Sequence, residues 1–255
     1  MRLGVIATLG LVATGCPAEP DTPPATPPAP TNPAPDAPPV VTGAGSEAGR
    51  NLVMGTGEPV EPRPFTLEDR LLDAVRRGDR AAVERTLEAG VAVDSADALG
   101  RSTLLLATRD AGSLELAQLL HARGASVDRA DAEGRTPLSY AAAAGRLEIV
   151  RWLIDEGARV DAPDDRGRTP LFQAVLRDRR DVVADLIEHG ADPNVSDRFR
   201  DTPLMLACAK GFDAMARLLL DHGADPAARD QEGRTAAERA APNAPACRPS
   251  HGGAT

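Results

Sequence analysis

The chain has 255 residues and a formal net charge of −9 at pH 7. This length is enough for one large domain, or for a smaller domain with extensions. The acidic balance excludes the basic footprint of a nucleic-acid-binding protein, so no nucleic-acid partner is expected. One Trp, one Tyr and four Phe favour small helical packing units over a β-sandwich or a β-barrel.

The first 16 residues have the pattern of an export signal. Arg2 precedes an apolar run over residues 3–12, which is much shorter than the roughly 20 residues that a membrane-spanning helix needs. Such a run is typical of a secretory signal peptide. Ala13, Thr14 and Gly15 then precede Cys16. This arrangement resembles the lipobox of bacterial lipoprotein signals, although Leu is commoner than Ala at the position of Ala13.

The resemblance implies that residues 1–15 are removed as a signal peptide and that Cys16 is lipidated. Three acyl chains, as in that family, would make membrane attachment effectively permanent, because one chain gives only marginal binding. Pro17, rather than Asp, follows the cysteine, which favours the outer membrane. We therefore expect a lipid-anchored protein of the bacterial cell envelope that faces the periplasm or the cell surface. An ordinary signal peptide, with Cys16 incidental, is the alternative.

The next segment, residues 16–64, is predicted to be a disordered tether. It contains fourteen of the 23 prolines, with Ala, Thr and Gly between them. Such a sequence cannot bury enough apolar surface to offset the entropy of ordering the chain. Proline favours the extended polyproline II conformation, so the tether is expected to hold the folded domain away from the membrane.

The remainder of the chain repeats with a period of 33 residues. The recurring elements are Thr-Pro-Leu at 136–138, 169–171 and 202–204, Gly-Ala at 124–125, 157–158, 190–191 and 223–224, and Asp at 131, 164, 197 and 230. This pattern resembles the ankyrin repeat, a β-turn followed by two helices. The resemblance covers residues 65–241 and implies an all-α ankyrin-repeat solenoid of about five helix-turn-helix units with β-turn fingers.

Each recurring residue has a physical role in this interpretation. The Thr is expected to cap the first helix, and the Pro loses no helical hydrogen bond at the position that follows. A Gly after the second helix suits a left-handed conformation. The residues predicted to be buried are Leu138 and Ala141 on a first helix and Val150, Trp152, Leu153 and Ile154 on a second.

The units are predicted to span 67–100, 101–134, 135–167, 168–200 and 201–233, followed by a half unit over 234–241 and a disordered tail over 242–255. The first unit begins with a variant capping box at Thr66 and Asp69. The second has one extra residue between Ala107 and Gly112. Arg200 stands where other fingers end in Gly, which would cost about 1 kcal/mol if that position needs a positive φ.

No catalytic, cofactor or metal site is predicted, and the chain is not expected to be an enzyme. His189 and His222 precede the Gly-Ala pair of successive repeats. They therefore lie near a helix C-terminus, where a positively charged side chain is favoured. This explanation is preferred over a metal pair. The recurring Asp is expected to bond backbone groups of the adjacent finger rather than calcium.

Cys208 and Cys247 leave two alternatives open. Export would permit a disulfide that fixes the half unit to the array. A buried Cys208 thiol with a free Cys247 thiol in the tail is the preferred interpretation.

The ankyrin resemblance implies that a partner binds the concave face formed by finger tips and first helices. The candidate partner-binding residues are Arg76, Arg77, Arg109, Glu133, Arg135, Asp165, Arg166, Arg168, Arg177, Arg198, Phe199 and Lys210. An Arg-rich groove would favour a partner with an acidic surface. Alternatively, these Arg side chains pair with the finger Asp residues. Phe199 is the strongest candidate, because aromatic residues beside Arg dominate interface hot spots; folding back onto the stack is its alternative.

The predicted function is protein–protein recognition by a monomer that contacts the membrane only through its lipid. The alternative is a structural or protective role in the envelope, as a chaperone-like, immunity or protective partner of a periplasmic enzyme.

Overall fold

The computed structural model describes residues 65–242 and 244–247. In these residues ten α-helices form five antiparallel pairs, which confirms the predicted helical repeat fold. The predictions for the signal peptide, Cys16, the tether and residues 248–255 lie outside the described residues. The helices are α1 Leu67–Arg77, α2 Arg80–Glu88, α3 Thr103–Leu106, α4 Leu114–Ala122, α5 Pro137–Ala144, α6 Leu147–Asp155, α7 Pro170–Leu176, α8 Arg180–Glu188, α9 Pro203–Lys210 and α10 Asp213–Asp221.

The recurring Thr-Pro pair begins the first helix of three units as predicted. The hydroxyls of Thr136, Thr169 and Thr202 each accept the N–H three residues later, and a Pro follows each Thr in the first turn. The capping box at the start of α1 is also confirmed, since Thr66 and Asp69 bond each other's backbone N–H. Each cap satisfies donors that a helix N-terminus leaves without an intrahelical partner.

The core runs along the stack between the first and second helices. Leu138, Ala141, Val150 and Leu153 are fully buried, as predicted. Trp152 and Ile154, which were also predicted to be buried, pack against this core but remain partly exposed. The Trp152 ring meets the His121 ring edge-on, with 5.8 Å between the ring centroids.

The extra residue of the second unit forms a π-helical turn, Ala107–Ala111, at the end of α3. The N–H of Gly112 donates to the carbonyl of Ala107 at 2.8 Å, five residues earlier. One additional residue therefore widens a single turn. Gly112 then ends this turn in the left-handed conformation, with a φ of 60°.

The five fingers are tight turns over 97–101, 131–135, 164–168, 197–201 and 230–234, here named fingers 1 to 5. In each, the first residue's N–H donates to the carbonyl of the fifth. Neighbouring tips are also bonded, as where the N–H of Arg198 donates to the carbonyl of Arg166 at 2.8 Å. Arg200 has a φ of 60°, so this position does require the left-handed conformation.

The prediction for the finger Asp residues is corrected in one respect. Asp131 Oδ1 accepts the N–H groups of Glu133 and Arg135, which belong to its own finger and not to the adjacent one. Different side chains join adjacent repeats. For example, Asp128 accepts the N–H of Arg159, and Asn194 accepts the N–H of Asp225.

The C-terminal end differs most from the sequence prediction. Cys208 and Cys247 form a disulfide, so the preferred interpretation of two free thiols is wrong. A short 3-10 helix, Pro245–Cys247, packs against α10, which places ordered chain beyond the predicted boundary at 241. The tail returns to the array because Ala241 N–H donates to the Cys208 carbonyl at 2.9 Å and Ala246 N–H donates to Asp213 Oδ1 at 2.7 Å.

Among the described helices none has the length and apolar character that would be needed to cross a membrane.

Candidate functional site

The candidate groove is the face formed by the five fingers and the C-terminal ends of the first helices. Several of its Arg residues pair with the Asp at the start of a finger. Arg135 Nη2 lies 3.0 Å from Asp131 Oδ2, and Arg168 Nη2 lies 2.7 Å from Asp164 Oδ2. Of the two alternatives for these Arg side chains, internal pairing therefore holds for Arg135 and Arg168.

Further predicted residues at the N-terminal end are also paired. Arg76 Nη2 lies 2.7 Å from Asp97 Oδ2, and Arg77 Nη2 lies 2.5 Å from Asp73 Oδ2 within α1. Glu133 Oε2 lies 3.2 Å from Arg135 Nη1. This end of the groove consequently offers little uncompensated charge to a partner.

Tyr140 joins α5 to finger 2. Its hydroxyl donates to Asp131 Oδ2 at 2.9 Å, and the guanidinium groups of Arg109 and Arg135 lie 5.4 and 4.7 Å from its ring centroid. Burial, and then the hydrogen bond to Asp131, raise the pKa of Tyr140 to about 12. Arg109, which belongs to the π-helical turn, is therefore positioned beside an ordered aromatic ring.

Asp131 remains ionised at the centre of this cluster despite being buried. Burial alone would raise the pKa of Asp131. The N–H of Arg135, the Tyr140 hydroxyl, the N–H of Glu133 and the Arg135 guanidinium together lower it below its ordinary value. Hydrogen bonds to the charged form thus outweigh desolvation.

The C-terminal end of the groove has a different charge pattern. In the part of the chain that the structure describes, no ion pair with Asp or Glu is found for a set of five cations there: Arg166, Arg177, Arg198, Arg200 and Lys210. Asp165 is exposed beside Arg166 at the tip of finger 3. This end is where positive charge is free to meet a partner.

Phe199 lies among these cations at the tip of finger 4. Its side chain is 48% exposed, so it does not fold back onto the stack. The Arg198 guanidinium lies 4.7 Å from the ring centroid. An exposed aromatic ring held by a cation is a suitable anchor for a protein partner.

Arg239, which binds a carboxylate of finger 4, was not predicted from the sequence. Finger 4 ends in Asp201 where four other fingers have Arg, and both Asp201 carboxylate oxygens accept hydrogen bonds from Arg239 of the terminal half unit. The sequence does contain a signal for this ion pair, because Asp201 is an unpaired-looking carboxylate at the position where the other four fingers end in Arg. Arg239 also stands one period after Leu206 and two after Gln173, whose Nε2 donates to Asp164 at 3.1 Å.

Over residues 65–242 and 244–247, no three His, Cys, Asp or Glu side chains are close enough to hold a metal ion. The Nδ1 atoms of His189 and His222 each lie 2.7 Å from the backbone carbonyl four residues earlier. These contacts agree with the interpretation of both residues as helix C-terminal side chains.

A family model for ankyrin repeats (3 copies) matches residues 71–164, 104–197 and 172–248. These overlapping matches include every finger and all of the helices except the first residues of α1. No curated protein matches the chain.

Proposed function

Because the chain belongs to the ankyrin-repeat family, whose arrays are generic protein–protein interaction modules, we propose that it is a recognition module that binds another protein through the groove. The observation that carries the proposal is the pairing of an exposed Phe199 with neighbouring cations that lack carboxylate partners among the described residues. Ankyrin-repeat proteins are typically non-enzymatic, and we propose no catalytic role and no cofactor for this chain.

The proposed partner has an acidic surface. The chain is acidic as a whole, but the C-terminal end of the groove presents five cations that have no carboxylate partner among the described residues. Complementary charge accelerates encounter and selects against wrong partners. We propose that a monomer presents this surface.

Affinity purification of the full-length chain from its own cell envelope tests the recognition proposal. We expect a stoichiometric partner whose affinity falls about tenfold or more on Phe199→Ala or Arg177→Glu. Arg123→Glu changes an exposed residue at the end of α4, outside the groove, and serves as the control. Recovery of the partner unchanged by both groove variants would contradict the proposal, and transient recovery of many unfolded clients would indicate the chaperone-like alternative.

The proposed location is the bacterial cell envelope, with Cys16 lipidated and the protein held at the outer membrane. Two independent features support export. The sequence over residues 1–16 resembles a lipoprotein signal, and the Cys208–Cys247 disulfide is of a kind that persists in oxidising compartments. The membrane contact is proposed to be the lipid alone.

Replacement of Cys16 by Ala is expected to move the protein from the membrane fraction to the soluble fraction almost completely. The reason is that each buried acyl CH₂ contributes about 0.8 kcal/mol of membrane binding. Immunoblotting of fractions after a high-salt wash measures the distribution, with Ser46→Ala in the tether as the matched control. Retention of Cys16→Ala in the membrane fraction would mean that the lipid anchor is absent.

A further inference from the structure

Finger 4 departs from the other fingers at the two positions where all of the others agree after the first Asp. Its tip is Phe199, its fourth residue is Arg200 where the others have Gly, and its fifth is Asp201 where the others have Arg. Arg200 adopts a φ of 60°, which side chains other than Gly rarely adopt. A strained residue at an exposed tip points to a use for its side chain.

Phe199 has three cations close to it, one of them being Arg200. Arg198 and Arg200 flank it in sequence, and the Arg198 N–H bonds the Arg166 carbonyl of finger 3, so the three cations are neighbours across two adjacent tips. Within the described ranges no Asp or Glu side chain forms an ion pair with them. This surface is complementary to a partner segment in which carboxylates surround an apolar side chain.

Finger 4 itself contains two carboxylates, which differ in what they bind. Asp197 Oδ1 accepts the N–H groups of Phe199 and Asp201. Asp201 is instead neutralised by Arg239, whose guanidinium bonds both Asp201 oxygens and also lies 3.3 Å from Asp230 Oδ2. Arg239 thereby keeps Asp201 from pairing with the cations at the tip.

Arg239 depends on the terminal half unit for its position. In the described residues between α10 and the 3-10 helix no α-helix forms, so Arg239 lies in a turn. This segment is held by the hydrogen bond from Ala241 to Cys208 and by the Cys208–Cys247 disulfide. The disulfide and the binding tip are thus linked through one guanidinium group.

We propose that finger 4 is the docking point for an acidic segment of the partner protein, with an apolar side chain of that segment against Phe199 and its carboxylates against Arg166, Arg198 and Arg200. Arg239 acts as a positioning residue, because it sets the charge of the tip without touching the partner. This inference rests on the proposed recognition function and deepens it.

Selection of a phage-displayed random 12-residue peptide library on the purified full-length chain tests the chemistry of the partner. We expect enrichment of peptides that combine several Asp or Glu residues with an apolar side chain. Enrichment of neutral or basic peptides would overturn the acidic docking point and leave recognition intact. Absence of any enrichment would overturn both proposals.

Variants then test the role of Arg239 with the tightest acidic peptide, by fluorescence polarisation. Arg239→Gln should weaken peptide binding about tenfold. The double variant that also carries Asp201→Asn should bind within about threefold of the unchanged chain, because it has no Asp201 carboxylate to neutralise. Arg217→Gln on α10, which loses an exposed pair with Asp213, should bind as the unchanged chain does. Unchanged affinity in Arg239→Gln, or no rescue by Asp201→Asn, would overturn the positioning role.

A second variant keeps the docking point testable if Arg239→Gln disturbs the terminal half unit. Arg198→Gln removes an exposed cation at the tip and leaves the disulfide in place. It should weaken the acidic peptide about tenfold and should reduce the salt dependence of binding. Equal affinity and equal salt dependence in Arg198→Gln would overturn the docking point itself.

Discussion

Replacement of Cys247 by Ser is expected to lower the free energy of opening of the terminal segment, residues 234–247, by about 3 kcal/mol. The disulfide joins the end of this segment to Cys208 in the array, so opening the segment alone leaves a closed loop of about 14 residues, for which the chain-entropy model gives about this value. Because a repeat array can open at one end while the rest stays folded, the effect should be local. Amide hydrogen exchange at Ala241, whose N–H bonds the Cys208 carbonyl, measures it.

Reduction of the unchanged protein is the matched comparison for this prediction. It should reproduce the loss of protection at Ala241, while the Cys247→Ser variant should not respond to reductant. The amide of Ala158, buried near the middle of the array, should keep its protection in both. Full protection of Ala241 without the disulfide would show that packing against α10 alone holds the segment.

Replacement of Asp131 by Ala is expected to lower the free energy of unfolding by about 3 kcal/mol, because removing one partner leaves buried donors unpaired. The Asp131 side chain is only 2% exposed and accepts from the Tyr140 hydroxyl, the Arg135 guanidinium and two N–H groups. Urea unfolding of the two proteins measures the difference. Asp197→Ala is a matched control, since finger 4 has Asp201 where finger 2 has Arg135.

The control should lose about 1 kcal/mol, because Asp197 accepts only backbone N–H groups among the bonds described. At acidic pH the difference in free energy of unfolding between Asp131→Ala and the unchanged protein should become smaller. The pKa of Asp131 is lowered in the folded protein, so its stabilisation is present above the unfolded pKa and is lost as pH falls through the folded pKa. Equal losses in the two variants, or a deficit independent of pH, would contradict the assigned network.

The fold was largely predictable because each repeated residue has a local role. One 33-residue pattern predicts the Thr caps, the burial of Leu138 and Ala141, and the left-handed conformation of Arg200. The partial exposure of Trp152 and Ile154 was not predicted, because helical periodicity does not show how much of a second helix faces solvent in a single-layer stack.

The C-terminal features escaped prediction for a different reason. Cys247 and the tail lie beyond the last recognisable repeat, so the period does not place them near Cys208. Arg239 could be found only by asking what neutralises Asp201, a residue of the preceding unit. Pairing of Arg135 and Arg168 with their finger Asp residues was one of two alternatives, and only side-chain distances decided between them.

The π-helical turn over Ala107–Ala111 has a consequence for how such an array can vary. A residue inserted there is absorbed within one turn, and the Thr-Pro-Leu units that follow keep their ordinary separation. An insertion of this kind changes which side chain, here Arg109, reaches the groove without altering the stacking of the units above and below. Insertions or deletions at this position can therefore change the groove side chains of one unit while the stacking of the other units stays the same.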